Sequence, residues 1–173
     1  MDYILDLLKI ILPAGIVLYG MYLVVVSFLS KEREKLLVDL KTQNTQIVLP
    51  IRLQAAERLC LLLERVSPNN LVRRSNPSQF TAAELHPMLL AEVREEFNHN
   101  LSQQVYFSDE TWEAVRRAIE DVVTLLNLSR QSLEAESSGM ELARAIFAQS
   151  LDQKNDAITF ALRKVKSEIQ LYF

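Results

Sequence analysis

Glycine and proline are scarce in this chain. Its 173 residues include 3 glycines and 5 prolines. A β-sandwich or β-barrel needs a turn about every ten residues, and those turns are usually built on Gly, Pro, Asn or Asp. The scarcity therefore argues against an all-β fold. Hydrophobic residues make up 49% of the chain and charged residues 24%, a composition typical of chains that fold and not of disordered ones.

Cysteine, histidine and positive charge are also limited. A single cysteine, Cys60, excludes a disulfide framework within one chain, and the two histidines complete no Cys/His zinc pattern. Cys60 lies in an aliphatic run, where we expect it to act as a small buried hydrophobic residue. The net charge of -3 leaves no basic surface of the kind that binds DNA or RNA. We therefore expect no nucleic-acid partner.

The most distinctive feature present is an uncharged apolar segment near the N-terminus. Residues 10–30 contain no charged side chain, and at about 1.5 Å per residue a helix of this length spans roughly 30 Å, the thickness of a bilayer core. The acidic start of the chain, with Asp2 and Asp6, and the bulky Phe28 near the only candidate cleavage site do not fit a secretory signal peptide. We therefore expect residues 1–30 to form a short tail and a retained transmembrane helix.

The charges on either side of this segment predict its orientation. Lys31, Arg33 and Lys35 follow it closely, whereas only Lys9 precedes it. Because the cation-rich side of a membrane helix usually stays in the cytoplasm, we expect the N-terminus outside and the remainder of the chain in the cytoplasm.

Residues 31–49 are predicted to form a juxtamembrane stalk helix. The mixed charges at its start favour a solvated helix over a lipid-binding basic cluster, and Pro50 is expected to kink or restart the helix. The stalk contains apolar residues for which the predicted core offers no cover, and such residues are usually buried against another chain. These candidate interaction residues are Leu36, Leu37, Leu40, Ile47 and Val48.

Residues 50–173 are predicted to form a small cytoplasmic helical bundle. An apolar stripe at helical spacing marks a first helix over residues 48–66, followed by a long loop to residue 79. Thr81 and Glu84 match a capping box, but Pro87 is expected to end this first turn, so that the main helix begins at residue 86 or 87. Residues 104–107 are expected to be briefly extended.

Two further helices complete the predicted all-α fold. Ser108 is expected to cap one whose inner face carries Trp112 and a heptad of aliphatic residues, with a stop at Gly139. The last helix is predicted from a stripe that runs from Phe147 through Leu151 to Tyr172. The expected architecture is therefore one transmembrane helix, a stalk helix and a helical bundle.

No arrangement of residues predicts catalysis. The chain lacks a glycine-rich phosphate loop and a nucleophile elbow. Glu96 and His99 have the Glu-x-x-His spacing of ferritin-like di-iron sites, but only one of the two required copies is present. We therefore expect no enzyme activity, cofactor or metal and find no evident small-molecule substrate, while a membrane-tethered enzyme or metal-binding protein stays open as the alternative.

One polar stretch stands out between two predicted helices. Its amide and imidazole groups can satisfy helix ends from within the fold or hydrogen-bond to a partner. We favour the structural role and keep the stretch as a weaker candidate site. Its residues are Asn98, His99, Asn100, Gln103 and Gln104.

The block at residues 93–104, followed by Tyr106 and by Trp112-Glu113, resembles an uncharacterised family of small single-pass membrane proteins from Bacteroidota. The resemblance implies a bacterial inner-membrane protein with a cytoplasmic helical domain, and it carries no activity or functional residue. The layout of one anchor and a charged helix is also similar to the stator-like b subunit of ATP synthase, although the prolines at 50, 68, 77 and 87 interrupt such a stalk. From these features we expect a non-catalytic interaction or scaffold protein that contacts the bilayer and either itself or other membrane proteins.

Overall fold

The computed structural model is helical throughout the part of the chain that it describes, which confirms the expected all-α class. It describes the backbone of residues 2–152 and 157–172, and the side chains of residues 15–36, 46–151 and 157–172. Within these ranges the only strand-like pairing is an isolated antiparallel bridge between Thr81 and Ser138. The chain divides into two compact units, Met1–Val48 and Leu49–Phe173.

The first element, α1, is a helix that covers Asp2–Val66. The expectation that Pro50 restarts the helix is wrong. A proline removes the hydrogen bond to the carbonyl four residues earlier, here that of Gln46. Both residues are exposed, so water can satisfy that carbonyl while the flanking helical hydrogen bonds persist.

In the first unit, α1 contains a segment with the properties of a membrane span. Residues Gly15–Leu36 form the one helical segment that is long and apolar enough to cross a bilayer among the residues described. Its large aliphatic and aromatic side chains are exposed, for example Val24 at 68% and Phe28 at 66%. In water this exposure would be unfavourable, with a free-energy cost of about 25 cal/mol for each Å² of apolar surface.

The second unit is a bundle that contains the end of α1 and five further α-helices. These are α2 (Pro68–Arg74), α3 (Ala82–Asn100), α4 (Asp109–Gln131), α5 (Gly139–Asp152) and α6 (Ala157–Gln170). Short 3₁₀ segments occur at Pro77–Gln79 and at Leu101–Tyr106, the second of which we call the 101–106 turn. This turn corrects the expectation of an extended segment at residues 104–107.

The core of the bundle draws on every one of its α-helices, and α4 is central because α3, α5 and α6 all pack against it. The stripe predicted on the first bundle helix is buried from Ala55 onward, but Ile51 is 41% exposed. The largest fully buried side chains are Leu59, Leu62, Leu63, Val66, Leu71, Leu85, Leu89, Val93, Val115, Leu126, Leu142 and Ile146.

The expected long loop after residue 66 is in part helical. Pro68 occupies the first position of α2, where its missing N–H costs no helical hydrogen bond. Leu71 and Val72 of this short helix are buried in the core at 0% and 2% exposure. The segment therefore belongs to the core and is not a surface connection.

The capping box at the start of α3 is confirmed. The Glu84 amide donates to the Thr81 hydroxyl at 3.3 Å, and the Glu84 carboxylate accepts from the Thr81 amide at 3.0 Å. The expected break at Pro87 is wrong, because α3 continues through it. The carbonyl that loses its donor belongs to Ala83, which is exposed and so is accessible to water.

Gly139 starts a helix and does not end one, so the expected helix stop at Gly139 is wrong. The preceding helix α4 already ends at Gln131, and Gly139 is the first residue of α5. Its amide donates to the Phe80 carbonyl at 2.8 Å. A Cβ atom at this position would lie 2.3 Å from the Pro77 carbonyl oxygen and 2.7 Å from that of Phe80, so only glycine permits this close approach.

The predicted last helix is in fact two helices, α5 and α6, and residues 153–156 between them lie outside the described part of the chain. The predicted stripe is wrong at Leu151, which is 87% exposed, whereas Phe147 is partly buried against the core and Leu142 and Ile146 are fully buried. α5 begins next to the Thr81–Ser138 bridge. This starting point determines which of its side chains face the core.

Candidate interaction surface

The outer side of α1 forms a groove with the end of α3 and the 101–106 turn. Two adjoining clefts make up this groove, with volumes of about 380 and 410 Å³, and both are lined by Arg58. The contributions of α1 recur at spacings of three and four residues, which places them on one face of the helix. They are Ile51, Gln54, Arg58, Leu61 and Arg65, and the adjacent buried residues Ala55 and Leu62 also line the clefts.

The groove combines exposed apolar and cationic side chains. Ile51 is 41% exposed, Leu61 54% and Val105 74%. Arg58 lies between the two clefts, and within the described chain it has no ion-pair partner. This combination of aliphatic side chains with a free guanidinium suits a partner that carries both apolar and acidic side chains.

Arg65, which lines the groove, and Arg74 of α2 form ion pairs with acidic residues of α3. Arg65 Nη2 lies 2.9 Å from Glu96 Oε1, and Arg74 Nη2 lies 2.5 Å from Glu92 Oε1. The Arg74 guanidinium also donates to the Arg65 carbonyl at 3.2 Å. These contacts hold α1, α2 and α3 together and leave Arg58 as the available cation in the groove.

The polar stretch at residues 98–104 lies on the wall of this groove. His99, Asn100 and Gln103 line it, while Asn98 and Gln104 are exposed. Asn100 donates to the Glu96 carbonyl at 2.8 Å, and the buried Gln103 amide donates to the Ser102 hydroxyl at 3.2 Å. Part of the stretch thus satisfies backbone groups at the end of α3, and part of it faces the groove.

The predicted stalk residues are exposed wherever their side chains are described. Leu36 is 57% exposed, Ile47 65% and Val48 44%. The side chains of Leu37 and Leu40 lie outside the described residues. Within the first unit these positions therefore add to the apolar surface of α1.

Elsewhere in the bundle, side chains that could react or bind a metal are buried or make structural contacts. Burial raises the pKa of the Cys60 thiol, which keeps it protonated and weakly nucleophilic. The partly buried His86 Nε2 lies 3.0 Å from Asn127 Oδ1. No cluster of three or more His, Cys, Asp or Glu with metal-binding geometry occurs among the side chains that the structure describes.

The clearest electrostatic feature of the bundle is a helix cap donated by another helix. Glu168 of α6 accepts from the Ser108 amide and from the Ser108 hydroxyl, both at 2.8 Å, at the N-terminus of α4. Burial acts to raise the pKa of Glu168, but hydrogen bonds from Thr111 and Ser108 and the charge of Arg52 outweigh it, so the pKa is lowered. This carboxylate fastens α6 to the start of α4.

Sequence reasoning missed Arg58, Leu61 and Val105. The first two continue the spacing of Ile51 and Gln54 along α1 and could have been found by following the exposed face as carefully as the buried one. Val105 could not, because its place beside Ile51 depends on how the 101–106 turn packs.

These features define a class of protein: an all-helical chain with one segment able to span a membrane and a compact helical unit bearing an exposed groove. Residues 2–172 match the family of unknown function DUF7935, and the chain belongs to that family. No curated protein matches the chain. No solved structure matches it either.

Proposed function

We propose that this protein is a non-catalytic, membrane-anchored interaction protein that works as a homo-oligomer or as a subunit of a membrane assembly. The observation that carries the proposal is the exposed apolar surface of α1 at the end of the span and beyond it, at Leu36, Ile47 and Val48. Apolar positions without cover in their own chain are usually covered by another.

Membrane insertion is supported by the length and exposure of Gly15–Leu36. Orientation with the C-terminal unit in the cytoplasm, at a bacterial inner membrane, is supported by Lys31, Arg33 and Lys35, which directly follow the uncharged residues 10–30. Confinement of all copies to one plane raises their effective concentration, so modest attraction between helices suffices for assembly.

Two measurements test the anchor. A reporter fused after Phe173 should be active only in the cytoplasm, and activity on the other side of the membrane contradicts the orientation. The intact mass of protein extracted from membranes should include the first 30 residues. Their absence would identify the apolar segment as a cleaved signal sequence.

A third measurement tests the assembly. Full-length protein in mild detergent should have a mass above that of the monomer, or should copurify with a partner. Glutamate at Leu37 and Leu40 should abolish the association and leave the bundle folded by circular dichroism, while glutamate at the exposed Leu128 of α4 serves as control. A strictly monomeric protein without partners would disprove the proposal.

A further inference from the structure

Within the second unit, the exposed face of α1 follows a seven-residue repeat that lines the groove. Ile51, Gln54, Arg58 and Leu61 are separated by three, four and three residues. Alternation of three and four residues is the spacing of the a and d positions of a coiled coil.

In this register Ile51 and Arg58 occupy a positions, and Gln54 and Leu61 occupy d positions. The aliphatic members are exposed: Ile51 at 41% and Leu61 at 54%. The bundle covers a different face of α1, on which Ala55, Leu59 and Leu62 are at most 1% exposed. Between Ile51 and Leu61, α1 therefore has one covered apolar face and one uncovered face that combines apolar and polar side chains.

We infer that the uncovered face of α1 in the second unit, from Ile51 to Leu61, pairs with the same face of a second copy of this chain as a parallel, in-register pair of coiled helices. The inference rests on the proposed function in one respect: copies anchored in one membrane with the same orientation present this face in parallel.

The charges beside the face complement each other in this arrangement. In a parallel coil a side chain at an a position inserts between four residues of the facing helix, one of which is the g residue just before the equivalent a position. For Arg58 that residue is Glu57 of the other copy. Neither side chain has an ion-pair partner among the described residues of its own chain, so the two can form a reciprocal pair of salt bridges between copies.

The wall of the groove extends the contact. Val105, at 74% exposure, lies beside Ile51 in one cleft, and His99 lies beside Leu61 in the other. A helix seated on the uncovered face would contact these side chains as well as α1. This accounts for an exposed valine next to an exposed isoleucine at the surface of the bundle.

Cysteine cross-linking in native membranes tests the pairing directly. In a full-length Cys60→Ala background, Ile51→Cys and Leu61→Cys should form disulfides between copies, since a and d positions bring identical residues within disulfide reach. Leu53→Cys is the matched control, because Leu53 is 38% exposed on the same helix but at a c position. Equal yields at all three positions indicate random collision and overturn the inference.

Charge reversal tests the register independently. Glu57→Arg alone should place like charges together and reduce the dimer fraction severalfold, as should Arg58→Glu alone. The double variant exchanges the two charges and should restore the dimer. If the single variants leave the dimer fraction unchanged, or the double variant does not recover it, the reciprocal pair does not exist.

The outcomes separate this inference from the proposed function. Cross-links at Leu37→Cys and Leu40→Cys without any at Ile51→Cys and Leu61→Cys retain the stalk assembly and overturn the pairing of the second unit. Absence of cross-links at all four positions, with another protein copurifying, retains an interaction protein and overturns pairing of copies. A monomer without partners overturns both.

Discussion

The two units of this protein use the same aliphatic residues in opposite ways. In the segment Gly15–Leu36, Leu and Val side chains are exposed all around the helix, whereas in the bundle Leu59, Leu89 and Leu126 are completely buried. Glycine differs likewise: a Cβ atom at Gly20 would meet nothing within 4 Å, while one at Gly139 would meet two carbonyl oxygens. The bundle therefore provides its own apolar surroundings, whereas the described part of the chain leaves the apolar side chains of the segment uncovered.

The largest expected effect comes from truncating a leucine of the bundle. Leu89→Ala should lower the free energy of unfolding of the bundle by about 3 kcal/mol, because it removes buried methyl groups and leaves a cavity. Denaturant unfolding of the full-length protein in detergent, followed by circular dichroism, measures the change. Leu29→Ala, at a position that is 50% exposed, should leave the transition of the bundle unaltered. If Leu29→Ala lowered the free energy of unfolding as much as Leu89→Ala, the aliphatic side chains of the two units would not differ in burial.

A comparison of two glycines sharpens the contrast. Gly139→Ala should destabilise the bundle by roughly 2 kcal/mol, since a methyl group cannot fit beside the Pro77 and Phe80 carbonyl oxygens without moving the backbone. Gly20→Ala should have no such effect on the bundle. Thermal unfolding of both variants provides the measurement. A neutral Gly139→Ala variant would show that the start of α5 can move away from the carbonyls.

Truncation of Trp112 should have a smaller effect than its size suggests. Trp112 is only partly buried and stacks on Phe97 with ring centroids 5.7 Å apart, so Trp112→Ala should cost about 1 to 2 kcal/mol. Phe97→Leu, which keeps apolar volume but removes the stack, should quench or shift the single tryptophan emission. A loss as large as that of Leu89→Ala would place Trp112 within the core.

The smallest expected effect depends on pH. Because the pKa of Glu168 is lowered in the folded state, its charge contributes stability above the unfolded value of about 4.3, and this contribution is lost as pH falls through the folded pKa. Glu168→Gln should therefore destabilise the protein near pH 7 and have little effect once the pH is below the folded-state pKa of Glu168. Glu95→Gln, on an exposed residue of α3, is the control. A difference from wild type that does not change with pH would exclude the electrostatic cause.

Local signals in the sequence were sufficient wherever the physics is local. The capping box of Thr81 and Glu84 and the cap at Ser108 could be predicted because each involves residues three positions apart. The helix restarts predicted at the prolines are wrong because a proline removes only one hydrogen bond and adds one steric clash, and an exposed helix tolerates both. Pro50 and Pro87 accordingly lie within continuous helices.

Some features of the candidate surface could be predicted and others could not. The apolar stalk positions Leu36 and Ile47 follow from the sequence, since they lie outside the apolar stripe predicted over residues 48–66. That Ile51 and Leu61 stay uncovered while Leu62 is buried depends on where the 101–106 turn and α3 pack. Periodicity identifies the faces of a helix but not the one its neighbours select.

Composition and periodicity by themselves determined the helical class, the apolar segment and the helix caps at Thr81 and Ser108, because backbone hydrogen bonding and hydrophobic periodicity act over a few residues. Only the tertiary structure decided that Leu71 and Val72 enter the core, that Gly139 starts a helix, and that Ile146 and not Leu151 is buried. Each of these depends on contacts between residues far apart in the chain, above all the bridge between Thr81 and Ser138, and such contacts leave no mark on local spacing.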